Sequence, residues 1–361
     1  MTLALAAVLL PWFGAILLAV PRIPGWADLV IVAATLLLSA VLLVWDDETW
    51  GLLRLDGLAA LFMVLIAGSA LARRWARAHR RLRRGAADLA LLGAALLVCL
   101  SANPLLSWFA LAGATAAALY PALPRGWDRV PLAGCGLGLA LFGLIAEHGD
   151  PALAALAPAG LVLGYAMLAG LTPGLLIVLL ALVLRLPGSN AMLLGLGLGG
   201  VLACGLGLLV APTRGSLVRL GQGAAAAAAF GLGGPEATFA GLVQVILLVL
   251  ASAAADLAAR PGAERAIVAA GLAGLPPFGC FPGLALIVLA TAHRLPWLLL
   301  PLGAGLGMIG WATILQLPPP RWTGPLTLAP VWIPLGLALL VGWFLPAGAA
   351  DWLRATLAPV P

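Results

Sequence analysis

Fourteen apolar runs, parted by charged or Pro/Gly-rich breaks, take up most of this 361-residue chain. They fall at 2–20, 28–45, 56–72, 86–102, 104–122, 131–147, 152–173, 174–187, 190–211, 220–234, 237–259, 265–292, 297–316 and 328–346. Hydrocarbon offers no partner to a backbone N–H or C=O, so a chain patterned this way must satisfy them internally, as a bundle of transmembrane helices. Mean hydropathy of +1.14 with only 9% charged residues agrees. These values exclude a soluble catalytic module, a nucleic-acid binder and a single-span receptor. The expected fold is an all-α integral membrane protein of about 14 helices, forming one polytopic domain over 1–361. Its leading helices would occupy 1–72 and its last helix and tail 328–361.

All 19 basic residues are Arg. Placing the segment from Arg73 to Arg84 in the cytoplasm brings 15 of the 19 to that side, so the net charge of +6 reads as an orientation signal. Both termini then face the periplasm of a bacterial inner membrane. The basic segment itself would meet anionic lipid or a cytoplasmic subunit. The first run lacks a charged start and a cleavage site, and reads as a retained helix. Residues 349–358, with Trp352 and Arg354, fit a short interfacial helix. Two runs stand apart. The stretch 220–234 is short and Ala-rich, and 265–292 is interrupted by Pro276, Pro277 and Pro282, which predicts a broken helix.

Ionisable groups inside spans are expensive and therefore informative. Asp56 and Asp88 open spans, where a carboxylate caps the helix and meets its dipole. Glu236 follows the Gly-Gly-Pro turn at 233–235 in the same way. Asp256 precedes Arg260 by four residues, which favours a local pair over a proton site. Gln244, central in its span, suits a bond to a neighbouring helix, and Arg185 suits an interfacial anchor. Gly-rich 195–207 reads as close helix packing. Cys99, Cys135, Cys204 and Cys280 have neither metal nor disulfide spacing, and His79, His148 and His293 lie in loops or at interfaces. No cofactor or metal is expected, nor any Ser/His or Asp/Asp catalytic set within the spans.

Several segments in order carry a family resemblance. Asp56-Gly57-Leu58 is similar to a "DGLS" span start, and LSANPLLSWFALAGATAAALYPALP (100–124) to "VSANDLLLLFLGLELLSLPLYLLVAL". LGYAMLAGLTP (163–173) and SLVRLGQ (216–222) match further motifs, and LAGLPPFGCFPGL (272–284) closely follows "LAGIPPFAGFFGK". The chain thus resembles the antiporter-like membrane subunits of respiratory complex I, of energy-converting hydrogenases and of multi-subunit cation/proton antiporters. That resemblance implies two inverted five-helix repeats, here 86–187 and 190–316, each with a broken helix. It also implies a mid-membrane relay of Glu and Lys that carries protons.

At the positions matching that relay this sequence has Gly113, Leu168, Val178, Val245 and Leu284. A buried Lys relays protons because desolvation and a neighbouring carboxylate shift its pKa, and Gly, Leu and Val cannot titrate. The "HxWLPDA" stretch between the seventh and eighth helices is missing too. The expectation is a non-catalytic membrane subunit of a proton-translocating NADH:quinone oxidoreductase-like or hydrogenase-like complex, with a degenerate relay and a mainly structural role. Its partners would be the other membrane subunits. An active translocating subunit and a solitary carrier of a neutral solute are the alternatives. Residual polar candidates are Asp56, Asp88, Arg219, Glu236, Gln244 and Asp256.

Overall fold

A computed structural model describes residues 2–18, 26–44, 47–76, 83–119, 190–210, 215–258, 263–317 and 331–357, with 138 and 141. The expected spans at 152–173 and 174–187 lie outside these, as does 131–147 apart from those two residues, and so do Leu168, Val178, Arg185, Cys135, His79 and His148. The chain divides into two compact units, Met1–Leu186 and Pro187–Pro361.

The first unit contains α1 (Thr2–Leu18), α2 (Ala27–Leu42), α3 (Gly57–Ala76), α4 (Arg83–Leu100) and α5 (Pro104–Leu119). Helix α4 packs on both α1 and α5, and α2 packs on α3. The all-α expectation needs one correction. Strands β1 (Glu48–Trp50) and β2 (Leu53–Leu55) form an antiparallel hairpin pairing Trp50 with Leu53 and Glu48 with Leu55. Gly51 makes the two-residue turn possible, because its φ of +57° is a conformation other residues resist. Asp56 then starts α3: its Oδ1 accepts the Ala59 N–H at 2.7 Å, the bond of an N-cap.

The segment from Arg73 to Arg84 is not simply a loop. Helix α3 runs to Ala76 and α4 begins at Arg83, so both ends of it are helical. Arg74 is mostly buried and faces inward. Its guanidinium meets Asp28 at 3.2 Å and Asp88 at 3.4 Å, and donates to the Gly85 carbonyl at 2.7 Å. Asp88, expected as a first-turn cap, sits one turn further into α4 and serves as an ion-pair partner instead.

The second unit contains α6 (Asn190–Val210), α7 (Gly215–Leu232), α8 (Pro235–Leu257), α9 (Ala263–Leu272), α10 (Phe281–Arg294), α11 (Leu299–Gln316), α12 (Trp332–Trp343) and α13 (Ala347–Leu357). The short Ala-rich run proves to be a full 18-residue helix, because it begins at Gly215 and carries Arg219 and Gln222 in its early turns. Polar residues there hid the helix start from a reading based on apolar runs. Its small residues have a packing purpose: a Cβ on Gly197 would come within 2.6 Å of Ala228 Cα, so α6 and α7 approach backbone to backbone. Gly205 also lies close to α11, with Gly305 O 2.9 Å from its Cβ position. The Gly-rich stretch is therefore a helix-packing surface.

Chain direction reverses between α7 and α8 through Gly233 and Gly234, with φ of +66° and +77°. Pro235, its φ already helical, opens α8, and Glu236 lies in the first turn. Arg294 closes the turn by donating to the Leu232 carbonyl at 2.6 Å. A side chain on Gly234 would occupy the guanidinium's place. Helix α12 is followed by α13 after an 86° bend, and Arg354 of α13 lies 5.1 Å over the Phe239 ring.

Among the described residues, Gly57–Ala76, Leu193–Val210, Pro235–Leu257 and Pro296–Gln316 are long and apolar enough to cross a membrane, and the bent pair at 332–356 passes the same test as one broken span. Thr2–Leu18, Ala27–Leu42, Gly85–Leu100 and Phe281–Arg294 are shorter apolar helices.

Candidate functional site

The predicted broken helix sits at the centre of the second unit's polar groups. Helix α9 stops at Leu272 and α10 starts at Phe281, with Pro276 and Pro277 in the eight-residue break and Pro282 in the first turn of α10. Two prolines cannot donate hydrogen bonds, so the remaining donors must find acceptors nearby. Leu275 N donates to Ala270 O at 2.9 Å, and Cys280 N returns to Gly271 O at 2.9 Å. Gly279, with φ of +63°, lets the chain fold back against Gly271 so closely that any Cβ would strike its carbonyl. Trp343 of α12 braces the break, its Nε1 donating to Pro277 O at 2.9 Å.

Two side-chain pairs link α7 and α8 beside this break. Toward the start of α7 and the end of α8, Arg219 Nη2 donates to Asp256 Oδ1 at 2.6 Å, both side chains about four-fifths buried. Asp256 therefore has an interhelical partner; Arg260, its expected local partner, lies outside the described residues. Deeper in, Gln244 Nε2 donates to Gln222 Oε1 at 2.7 Å, and both residues are fully buried. Of the three Gln in the sequence, two meet here. Gln244 makes the bond to a neighbouring helix that its central position implied.

Gln222 Nε2, Gln244 Oε1 and Ser252 Oγ are buried without hydrogen-bond partners among the described residues. Ser252 and Asp256, four residues apart, share one face of α8, and Gln244 and Asp256 both face α7. The polar groups thus run along one side of the helix, from an ion pair near its end to an uncharged amide pair in its middle.

The positions matching the family's relay are apolar where described. Val245 and Leu284 are buried, and the Leu284 side chain occupies the space next to Gly274 in the break. Gly113 of α5 is half-buried, and a Cβ there would meet nothing within 4 Å. Of the other candidates, Glu236 is exposed with His293 Nδ1 at 3.9 Å, and Asp56 is held by Arg54 Nε at 3.1 Å besides its capping bond. Among the described residues no three His, Cys, Asp or Glu gather as metal ligands.

Gln222, Arg74 and Ser252 were not legible as site residues from the sequence. A signal existed for Gln222: it follows Arg219 by three, which on a helix places both on one face. Starting that helix at 220 separated them.

Comparison with solved structures supplies the broader frame. No protein-family profile and no curated protein matches the sequence. A chain of respiratory complex I from Thermus thermophilus superposes with a TM-score of 0.74 at 18% identity, covering 98% of both chains. The membrane-bound sulfane sulfur reductase, an archaeal respiratory membrane complex, gives 0.78 at 15% identity over 99% of this chain and 97% of the other. The chain shares the fold of these chains of respiratory membrane complexes. A chain of the Mrp complex from Dietzia sp. DQ12-45-1b also matches, with a TM-score of 0.77 at 15% identity over 99% of this chain, which spans about half, 52%, of that longer one. In this fold the break at Pro276-Pro277 falls in the segment whose sequence carried the family's most specific motif.

Proposed function

We propose that this chain is a non-catalytic membrane subunit of a proton-translocating, NADH:quinone oxidoreductase-like or hydrogenase-like complex, in which it keeps the antiporter-like fold but has lost the proton relay. The observation that carries this reading is the pair of buried apolar side chains, Val245 and Leu284, at relay positions in the second unit. The uncharged amides of Gln222 and Gln244 stand beside Gly274 and Gly283, next to Leu284. A proton crossing here would meet no titratable step in mid-membrane, and bare ionic charge in hydrocarbon costs several kcal/mol. The fold similarity to chains of complex I, the Mrp complex and the sulfane sulfur reductase supports a place among other membrane subunits.

The proposed role is structural: lateral contacts to neighbouring subunits that move the protons themselves. Fourteen helices in two inverted five-helix repeats, a bacterial inner-membrane location with both termini periplasmic, and contact of the 73–84 segment with anionic lipid or a cytoplasmic subunit belong to the same proposal. Gentle detergent extraction of the tagged chain from its native membrane, followed by mass spectrometry, tests membership. Redox subunits and antiporter-like subunits with complete Glu/Lys sets should co-purify, and recovery of the chain alone overturns it. Within the assembled complex, Gln244→Ala and Asp256→Ala should leave proton pumping within about twofold, because neither side chain is placed in a relay. Lost pumping with assembly intact would sink the structural role.

A further inference from the structure

We infer that the chain holds a water molecule in its membrane core, between the amides of Gln222 and Gln244, at the break between α9 and α10. The bond between the two amides runs one way only, from Gln244 Nε2 to Gln222 Oε1. It leaves Gln222 Nε2, a donor, and Gln244 Oε1, an acceptor, both buried and unpartnered. Native interiors rarely leave such atoms orphaned. Both atoms face the same short stretch of backbone. A Cβ on Gly283 would collide with Gln244 Oε1, and one on Gly274 would stand 3.4 Å from Gln222 Nε2. A glycine in the break and another in the first turn of α10 therefore let the two amides reach it.

The donor set selects the ligand. A cation would need several oxygen ligands, and the side chains here offer one unpartnered acceptor. A hydrocarbon chain would leave both amide atoms unsatisfied. Water accepts from Gln222 Nε2 while donating to Gln244 Oε1, and two to four polar partners is what buried waters have. Cys280 caps α10 three residues before Gly283, the residue that stands against the Gln244 amide, and provides a reporter. The site belongs to the chain itself and holds whatever the chain assembles with.

Radiolytic hydroxyl labelling of the full chain in lipid nanodiscs reads this directly, because radicals born from a held water oxidise the nearest sulfur. Cys280 and Cys99 are both buried thiols, 0% and 1% exposed, so bulk radicals reach them equally poorly. Cys280 should oxidise severalfold faster than Cys99, and the excess should vanish in the double variant Gln222→Leu/Gln244→Leu. Equal rates in the unaltered protein overturn the site, as does a fast Cys280 that persists in the double variant. If the double variant does not fold, Gln244→Asn, which keeps an amide of shorter reach, should slow Cys280 while Cys99 stays unchanged; an unaltered Cys280 rate there overturns the site equally.

Discussion

Arg219 and Asp256 tie the start of α7 to the end of α8 through a 2.6 Å charge-assisted hydrogen bond. With each side chain about one-fifth exposed, water screens the pair only in part. Removing one partner strands the other near hydrocarbon. Asp256→Ala should destabilise the purified chain by about 1–3 kcal/mol, read as a drop in thermal midpoint. The double variant Arg219→Leu/Asp256→Leu should recover most of it. Strictly additive losses would show that the two residues do not act as a pair.

Arg74 performs a three-way task in the first unit, contacting Asp28 of α2, Asp88 of α4 and the Gly85 carbonyl. Arg74→Lys keeps the charge but loses the planar fork that serves three acceptors. We expect Arg74→Lys to lose nearly as much stability as Arg74→Ala, about 1–3 kcal/mol. Limited proteolysis of the first unit, before and after each change, checks this. Full rescue by Lys would mean that charge alone matters.

Glycines of α6 divide into two kinds. Gly197 faces the Ala228 backbone, while Gly199 has nothing within 4 Å of its Cβ position. Gly199→Ala should change stability by no more than about 0.5 kcal/mol. Gly197→Val forces α6 from α7 and should cost at least about 1–3 kcal/mol, seen as lost monodisperse yield in detergent. Comparable behaviour of the two variants would refute backbone-to-backbone packing.

Under the proposed function, substitution at Leu284 distinguishes a lost relay from a disguised one. Leu284→Lys introduces a charge into an apolar, buried position next to Gly274. In the absence of a placed carboxylate it should cost about 2.5–3.5 kcal/mol and leave the pumping rate of the complex no higher. Enhanced pumping would reveal a working relay around it.

Part of this was readable without coordinates. The LAGLPPFGCFPGL motif located the broken helix because two adjacent prolines forbid a continuous ladder wherever they fall, and the structure places the break at 273–280. Gln244 could be singled out because an amide in mid-span needs a partner, yet nothing in the sequence named Gln222. The hairpin at 48–55 escaped notice because three-residue strands leave too short an alternation to see. Asp256 was assigned to its chain neighbour because sequence spacing reports only contacts within one helix.

Composition and the order of apolar runs determined, by themselves, that the chain is a bundle of membrane helices, since backbone groups in hydrocarbon admit little else. Motif order pointed to the antiporter-like fold, and the residue types at Val245 and Leu284 determined that those positions cannot titrate. Which polar groups face one another was settled only by tertiary structure. Helix rotation and the glycine-permitted approach of α6 to α7 decide whether Arg219 meets Asp256 and Gln222 meets Gln244, and these depend on contacts between residues far apart in sequence.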